Sequence, residues 1–286
     1  MPGTQRNGCC NGGRGGRGWG LHAFPEYQQS RQSYHWRLPA TRVSKSGAYM
    51  NDNNNAAANM PCGTIVWQNQ ALVLLDKRPG VLTVPGRQGD EDPRPCLGRW
   101  LQQHLGMRVF PVHRLDFEVS GVVVFALSSQ AHRTASLAFE GHAVEKRYQA
   151  VSALPPAPPA NGAEFLWESR LVRGKRRSFE APHGQLARTL ARFAGTTPGH
   201  PWLADEQGAP LGLWDLKPQT GKPHQLRVHL ANAGFPIAGD VLYGGPAGRA
   251  GQAGIALRAV SLAFADAATR KALDVPDKFA LAPLVA

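Results

Sequence analysis

The sequence predicts an α+β fold built on a mixed, mostly antiparallel sheet, and three observations carry that expectation. Apolar runs of strand length recur from about Gly63 onward. Most are joined by Asn, Pro-Gly or basic turns at hairpin spacing. Helical periodicity is confined to a few intervening stretches, so hairpins outnumber βαβ units.

Taken in order, "TIVWQNQALVLLDKRPGVLTVPG" reads as strand, Asn turn, strand, Pro-Gly turn and a third short strand. "PCLGRWLQQHLG" spaces Leu97, Trp100, Leu101 and Leu105 as a helix does and stops at Gly106. "VFPVHRLDFEVSGVVVFALS" is strand, loop, strand; its second run is apolar on both faces, which predicts a central strand. "SQAHRTASLAFEGH" predicts a helix ending at Gly141, and "AVEKRYQAVSAL" a strand before the linker "PPAPPANG". Residues 164–195 read as strands with basic turns, and "GLWDLKP" as another. "KPHQLRVHLANAGFP" is the clearest helix, with Thr220 near its N-cap, Pro223 near its first turn and Gly234 after its last. "IALRAVSLAF" supplies a late strand.

Residues 1–60 differ in kind. "CCNGGRGGRGWG" is Gly/Arg-rich and "YMNDNNNAAANM" is low-complexity and polar, so a disordered Gly/Arg/Asn-rich extension is expected ahead of a folded unit at 61–286. The "RGGRG" piece has the composition of RNA-binding tails. The chain carries 32 Lys+Arg against 20 Asp+Glu, a net charge of +12, and residues 1–60 hold only 7 of those bases and 2 of those acids. The body is therefore basic in its own right, which favours a polyanionic partner. No apolar run approaches the ~20 residues of a membrane span. The N-terminus lacks a secretory apolar segment, and Cys9, Cys10, Cys62 and Cys96 form neither a CxxC pair nor a zinc spacing; a reducing cytoplasm is expected.

The chemistry-bearing residues cluster in few places. Asp116 sits at the mouth of the expected central strand, where a carboxylate needs a partner or takes up a proton. Arg114, two residues away on extended backbone, can be that partner, in a purely structural pair or a functional one. Glu118 raises a two-carboxylate glycosidase arrangement, but such pairs come from separate elements facing across a cleft. His224 and His229 lie five apart, too far round a helix to chelate a metal together. His224 and Arg227 share a face, which is either solvated or turned into a cleft. Tyr148 is either core packing or a plate for a nucleobase. "RLVRGKRR" places Arg170, Arg173, Lys175, Arg176 and Arg177 in one turn, a solvated loop or a phosphate-contact surface. No GxxxxGK[ST] or GxGxxG opens a helix, so neither a nucleotide cofactor nor a metal is expected.

Together these segments resemble the RluA-type pseudouridine synthases. "HRLDFEVSG" resembles that family's HRLD-x-x-TSG signature, "DKRPG" its K-P-x-G segment, "EKRYQAVS" its K-x-Y strand, and "ARTLARF" its A-x-T strand. "TGKPHQLRVHLANAGFPIAGDVLYGG" is similar to TGRTHQIRVHL followed by G-P-I-x-GD-x-LYG. Val119 replaces the family's Thr, and Lys222-Pro223 its Arg-Thr. The resemblance implies a pseudouridine synthase fold with a central cleft flanked by helices and loops. It implies isomerisation of uridines in ribosomal or transfer RNA, by an aspartate nucleophile acting on a flipped-out base. Asp116 would be the nucleophile, Tyr148 the residue stacking on the base, and Arg227 the partner of Asp116. His113, Arg114, His224, Arg173, Lys175, Arg176 and Arg177 would hold RNA, His113 also bracing the motif. No cofactor is implied, an S4-type RNA-binding domain is not found, and a monomer is expected. Glu118 is read as an exposed substitution at a variable position.

Overall fold

The computed structural model describes residues 62–86, 88–197, 210–248 and 253–285. The expected extension at 1–60, with its "RGGRG" piece, lies outside them. The described chain runs β1 (Gly63–Gln68), β2 (Leu72–Lys77), α1 (Leu97–Leu105), β3 (Phe110–Pro111), β4 (Ser120–Ala126), α2 (Ser129–Glu140), β5 (Val144–Ser152), β6 (Glu164–Arg173), β7 (Ser178–Glu180), β8 (Gln185–Thr197), β9 (Leu211–Pro218), α3 (Gln225–Asn232), β10 (Leu257–Phe264), α4 (Ala267–Leu273) and β11 (Phe279–Ala280). These strands form one sheet in the order β1-β2-β4-β10-β5-β9-β8-β6-β7, with β3 paired to β4 and β11 to β10. Every pairing between these strands is antiparallel except β4 with β10. The mixed, mostly antiparallel α+β architecture is as the sequence predicts.

Local chemistry explains the elements. Asn69 Oδ1 accepts from the amides of Ala71 and Leu72, making the Asn turn between β1 and β2. All seven residues of β4 are buried, as a run apolar on both faces demands. β8 instead alternates buried and exposed positions through its middle, and β6 half-buried and exposed ones, the mark of a sheet wetted on one side. Ser128 caps α2 by accepting from the Ala131 amide, and Gly106 ends α1 in the left-handed conformation. Fully buried Trp214 on β9 packs among Trp167, Phe193 and Phe235, and its indole N–H donates to Ser152 Oγ at 2.9 Å.

Two local expectations are corrected. The third short strand near Leu82 is only an isolated bridge to Cys96, because the carbonyls there serve the start of α1 instead. The helix N-cap is His224, in the left-handed region at φ 55, and neither Thr220 nor Pro223 begins the helix. Thr220 Oγ1 donates to Gln225 Oε1, so it braces the approach to α3 from outside.

The join between the two halves of the sheet is tight. β4 enters it through Gly121 at φ 111, where a Cβ would fall 2.1 Å from the Ala259 carbonyl oxygen of β10. A glycine is required there both for its dihedral and for the close approach of the backbones. The register then runs Gly121, Ala259, Tyr148, Leu216 across four strands. β10 is bulged between Ala259 and Ser261, opposite Tyr148, a device common beside active sites.

Candidate active site

The site assembles where the loop before β4, the middle of β5 and the helix α3 converge. Asp116 sits in the loop, 26% exposed, with its Oδ2 3.6 Å from Nη1 of Arg227. Arg227 projects from α3, a helix buried from Gln225 through Leu230, and is itself only 2% exposed. Such burial of a guanidinium requires paired acceptors. Asp240 supplies them: Nε and Nη2 donate to its two carboxylate oxygens at 2.7 and 2.8 Å, a bidentate pair that fixes the plane of the group. The Tyr243 ring lies 5.1 Å beneath the same cation. Burial alone would lower the Arg227 value, but the bonds and charge of Asp240, with Glu118 and Asp116, hold it above the ordinary arginine range. The result is a permanent, immobile positive charge facing Asp116.

Glu118 is a correction to the sequence reading. It is no bystander on the surface: its Oε2 accepts from Arg227 Nη1 at 3.2 Å, closer than Asp116 does. Both carboxylates aim at one nitrogen from one side, which is not the facing geometry of a glycosidase pair. The proposal that Arg114 partners Asp116 is also corrected. Arg114 is exposed and among the described residues forms no ion pair with Asp116, whose guanidinium partner is Arg227. Val119, in place of a hydroxyl-bearing residue, is buried in the core, and the loop is ordered instead by its amide donating to the Asp116 carbonyl at 3.2 Å.

The loop is also held from behind. Lys77, with no exposed surface, donates from Nζ to the carbonyls of Val81 at 2.8 Å, Arg78 at 3.0 Å and Phe117 at 3.3 Å. The Gly80 amide donates to the same Phe117 oxygen at 2.9 Å. Burial pulls Lys77 down to about 7, against the opposing charges of Asp116 and Glu118. One buried ammonium thus ties the "DKRPG" turn to the residue that follows Asp116.

Tyr148 stands half-buried on β5, and burial, then the Asp116 charge, raise its phenol above the ordinary tyrosine value. It is a neutral ring with an intact O–H beside the carboxylate. His113 stacks on Phe139 at 4.8 Å and its Nε2 accepts from the Val124 amide. Burial, then repulsion by Lys146, draw it down to about 3, so it is neutral and braces β4. His224 meets the Tyr243 hydroxyl through Nδ1 at 2.9 Å; burial lowers it, and the nearby Asp116 charge opposes that. The Tyr243 hydroxyl also bonds both the amide and the carbonyl of Ser178. Ser178 follows directly on the exposed turn of Arg173, Lys175, Arg176 and Arg177, and the Arg173 charge reaches His224. The basic turn is therefore tied to the site through Tyr243. His229 faces elsewhere, bonding Ser169 and Thr189 inside the core.

Sequence reasoning missed Lys77, Asp240 and Tyr243 as parts of the site. Only the quoted "DKRPG" and "AGDVLYGG" segments pointed toward them, since nothing in a lone Lys, Asp or Tyr announces a partner far along the chain.

A buried arginine is thus clamped by one carboxylate and presented to a second, with a half-buried tyrosine beside it and a basic turn tied to it through Tyr243. The model of the RNA pseudouridylate synthase family matches residues 71–232, and the chain belongs to that family. The chain is 32% identical to tRNA pseudouridine synthase C of Vibrio cholerae over 181 residues, covering 63% of this chain and 73% of that protein. It is 33% identical over 180 residues to the protein of the same name from Salmonella typhimurium, covering 63% and 69%. Human RNA pseudouridylate synthase domain containing 1 shares the fold with a TM-score of 0.57 at 22% identity, over 72% of this chain and 80% of that one. The reaction class is isomerisation of uridine to pseudouridine within RNA.

Proposed function

We propose that Asp116 is the nucleophile of this isomerase, Arg227 its fixed counter-charge and Tyr148 the ring on which the flipped uracil stacks. The observation that carries the reading is Arg227, locked to Asp240 on one side and 3.6 Å from Asp116 on the other. The reaction breaks the bond from the anomeric carbon to N1 and forms one to C5. The C5 proton leaves, N1 gains a proton, and the formula is unchanged. Whether the carboxylate attacks the sugar, attacks the base or draws off a sugar proton, it must be ionised and oriented, and a buried guanidinium favours both. Flipping sacrifices base stacking, which Tyr148 partly replaces at about 1–3 kcal/mol per base.

The RNA is held by Arg114, His224 and the turn of Arg173, Lys175, Arg176 and Arg177, with His113 supporting the loop. Transfer RNA is the first substrate to examine, given the names of the relatives, with ribosomal RNA beside it. Residues 61–286 form the catalytic unit, working as a monomer in the cytoplasm without a nucleotide cofactor; among the described residues no helix is long and apolar enough to cross a membrane. Pseudouridine mapping of both RNA pools from a deletion strain, complemented with wild type or Asp116→Asn, tests the assignment. Sites restored by the wild type and absent with Asp116→Asn are expected. The same sites restored by the variant would overturn the role of Asp116.

A further inference from the structure

Lys146 is an anomaly in this fold. It lies half-buried on β5, burial lowers its affinity for a proton, and no neighbouring acid offsets that. Among the described residues its ammonium has neither an ion pair nor a hydrogen bond, whereas Lys217, Arg188 and Arg192 on neighbouring strands each reach a carboxylate. A partly desolvated cation without an anion is costly to the free protein. Among the described residues nothing compensates it.

Its surroundings say what does. Strand alternation puts Glu145 and Arg147 on the exposed face, and Lys146 and Tyr148 together on the other. Their Cα atoms are about 6.6 Å apart, at ~3.3 Å per residue, a span one nucleotide covers from base to phosphate. Lys146 Nζ lies beside Gly221, in the loop that leads to His224 and α3, 3.8 Å from where a Cβ on that glycine would stand. Asp116 is not among the charges acting on Lys146, so the nucleophile does not neutralise it. His113, the titratable neighbour it does touch electrically, is neutral.

We propose that Lys146 is the seat of a backbone phosphate, binding the phosphodiester next to the nucleotide whose base Tyr148 stacks. The proposal rests on the isomerase reading of Tyr148 and adds a substrate-binding residue to it. A strand lysine here acts as a point charge that holds the phosphate equally before and during the reaction.

The test compares full-length wild type, Lys146→Gln and Lys146→Arg on bulk transfer and ribosomal RNA from a strain lacking the gene. Lys146→Gln is expected to raise KM about tenfold, the loss of one charge-assisted contact, and to leave kcat within about twofold. The slope of log Kd against log salt becomes shallower by about 0.7–0.9, one phosphate fewer. Lys146→Arg restores the slope. Since the ammonium is uncompensated in the free protein, Lys146→Gln melts at or above the wild-type temperature. An unchanged slope overturns the proposal; so does a lower melting temperature with a fall in kcat alone, which is the mark of a structural lysine. Wild type that binds these RNAs but makes no pseudouridine would strike the isomerase reading, and the slope comparison would still decide the phosphate contact.

Discussion

Replacing Asp240 by Asn separates the two duties of Arg227. The wild-type pair is 2% and 1% exposed and shares bonds of 2.7 and 2.8 Å. Asn keeps one acceptor, loses the negative charge and turns an N–H₂ toward the guanidinium. Breaking a buried pair from one side costs about 3–5 kcal/mol, and the lower end applies because Glu118 and Asp116 still face the cation. For a protein of this size about 3 kcal/mol lowers the melting temperature by about 6–12 °C. Arg227 also loses its fixed plane, so kcat/KM should fall at least about tenfold, one unit of 1.4 kcal/mol. Asp116→Asn is the control: its carboxylate is partly exposed and 3.6 Å from the cation, so the variant should melt within about 2 °C of wild type while losing activity. Differential scanning fluorimetry with single-turnover kinetics reads both quantities. An Asp240→Asn protein melting within about 2 °C of wild type would refute the claim that this pair holds the site.

Three further outcomes are expected. Glu118→Gln removes a partly exposed contact to Arg227 worth at most about 1 kcal/mol, so kcat/KM should stay within about fivefold; a loss as large as that of Asp116→Asn would make Glu118 catalytic. Lys77 titrates near 7 when folded and near 10.5 as a model group, so the unfolded chain binds the extra proton between those values and stability from this residue rises with pH across that window. Urea titrations should show wild type gaining on Lys77→Met from pH 7 to 9, and a constant difference would refute the lowering of Lys77 by burial. His229 is drawn down by burial to about 4 from 6.5, so the unfolded state binds more protons between these values and stability falls as pH drops from 6.5 toward 4. His229→Gln should flatten that part of the stability profile relative to wild type.

The fold was legible where pattern and position coincide. The all-apolar run of β4 announced a central strand, and the α3 helix was visible from its end signals, Gly234 and Pro236. Its starting point was not, because His224 adopts a left-handed conformation that Thr220 and Pro223 do not disclose. Within the site, the segments holding Asp116, Tyr148 and Arg227 stood out by resemblance. The role of Glu118 did not, since the nitrogen it meets belongs to a residue 109 positions later. Lys77 was hidden for a related reason: its acceptors are main-chain carbonyls, and any sequence offers those. Arg114 misled because proximity along an extended backbone was taken for proximity of side chains.

The bridging place of β10 has a consequence for the life history of the enzyme. The strand that carries the Asp116 loop and the strand that carries Tyr148 touch only through β10, which is made well after both. Without residues 257–264 the strand order breaks into β1-β2-β4 and β5-β9-β8-β6-β7, each with an unpaired inner edge. Such long-range closure is slow compared with hairpin formation. The pairing that sets the Asp116 strand and the Tyr148 strand on either side of β10 therefore waits for the last long strand to be made.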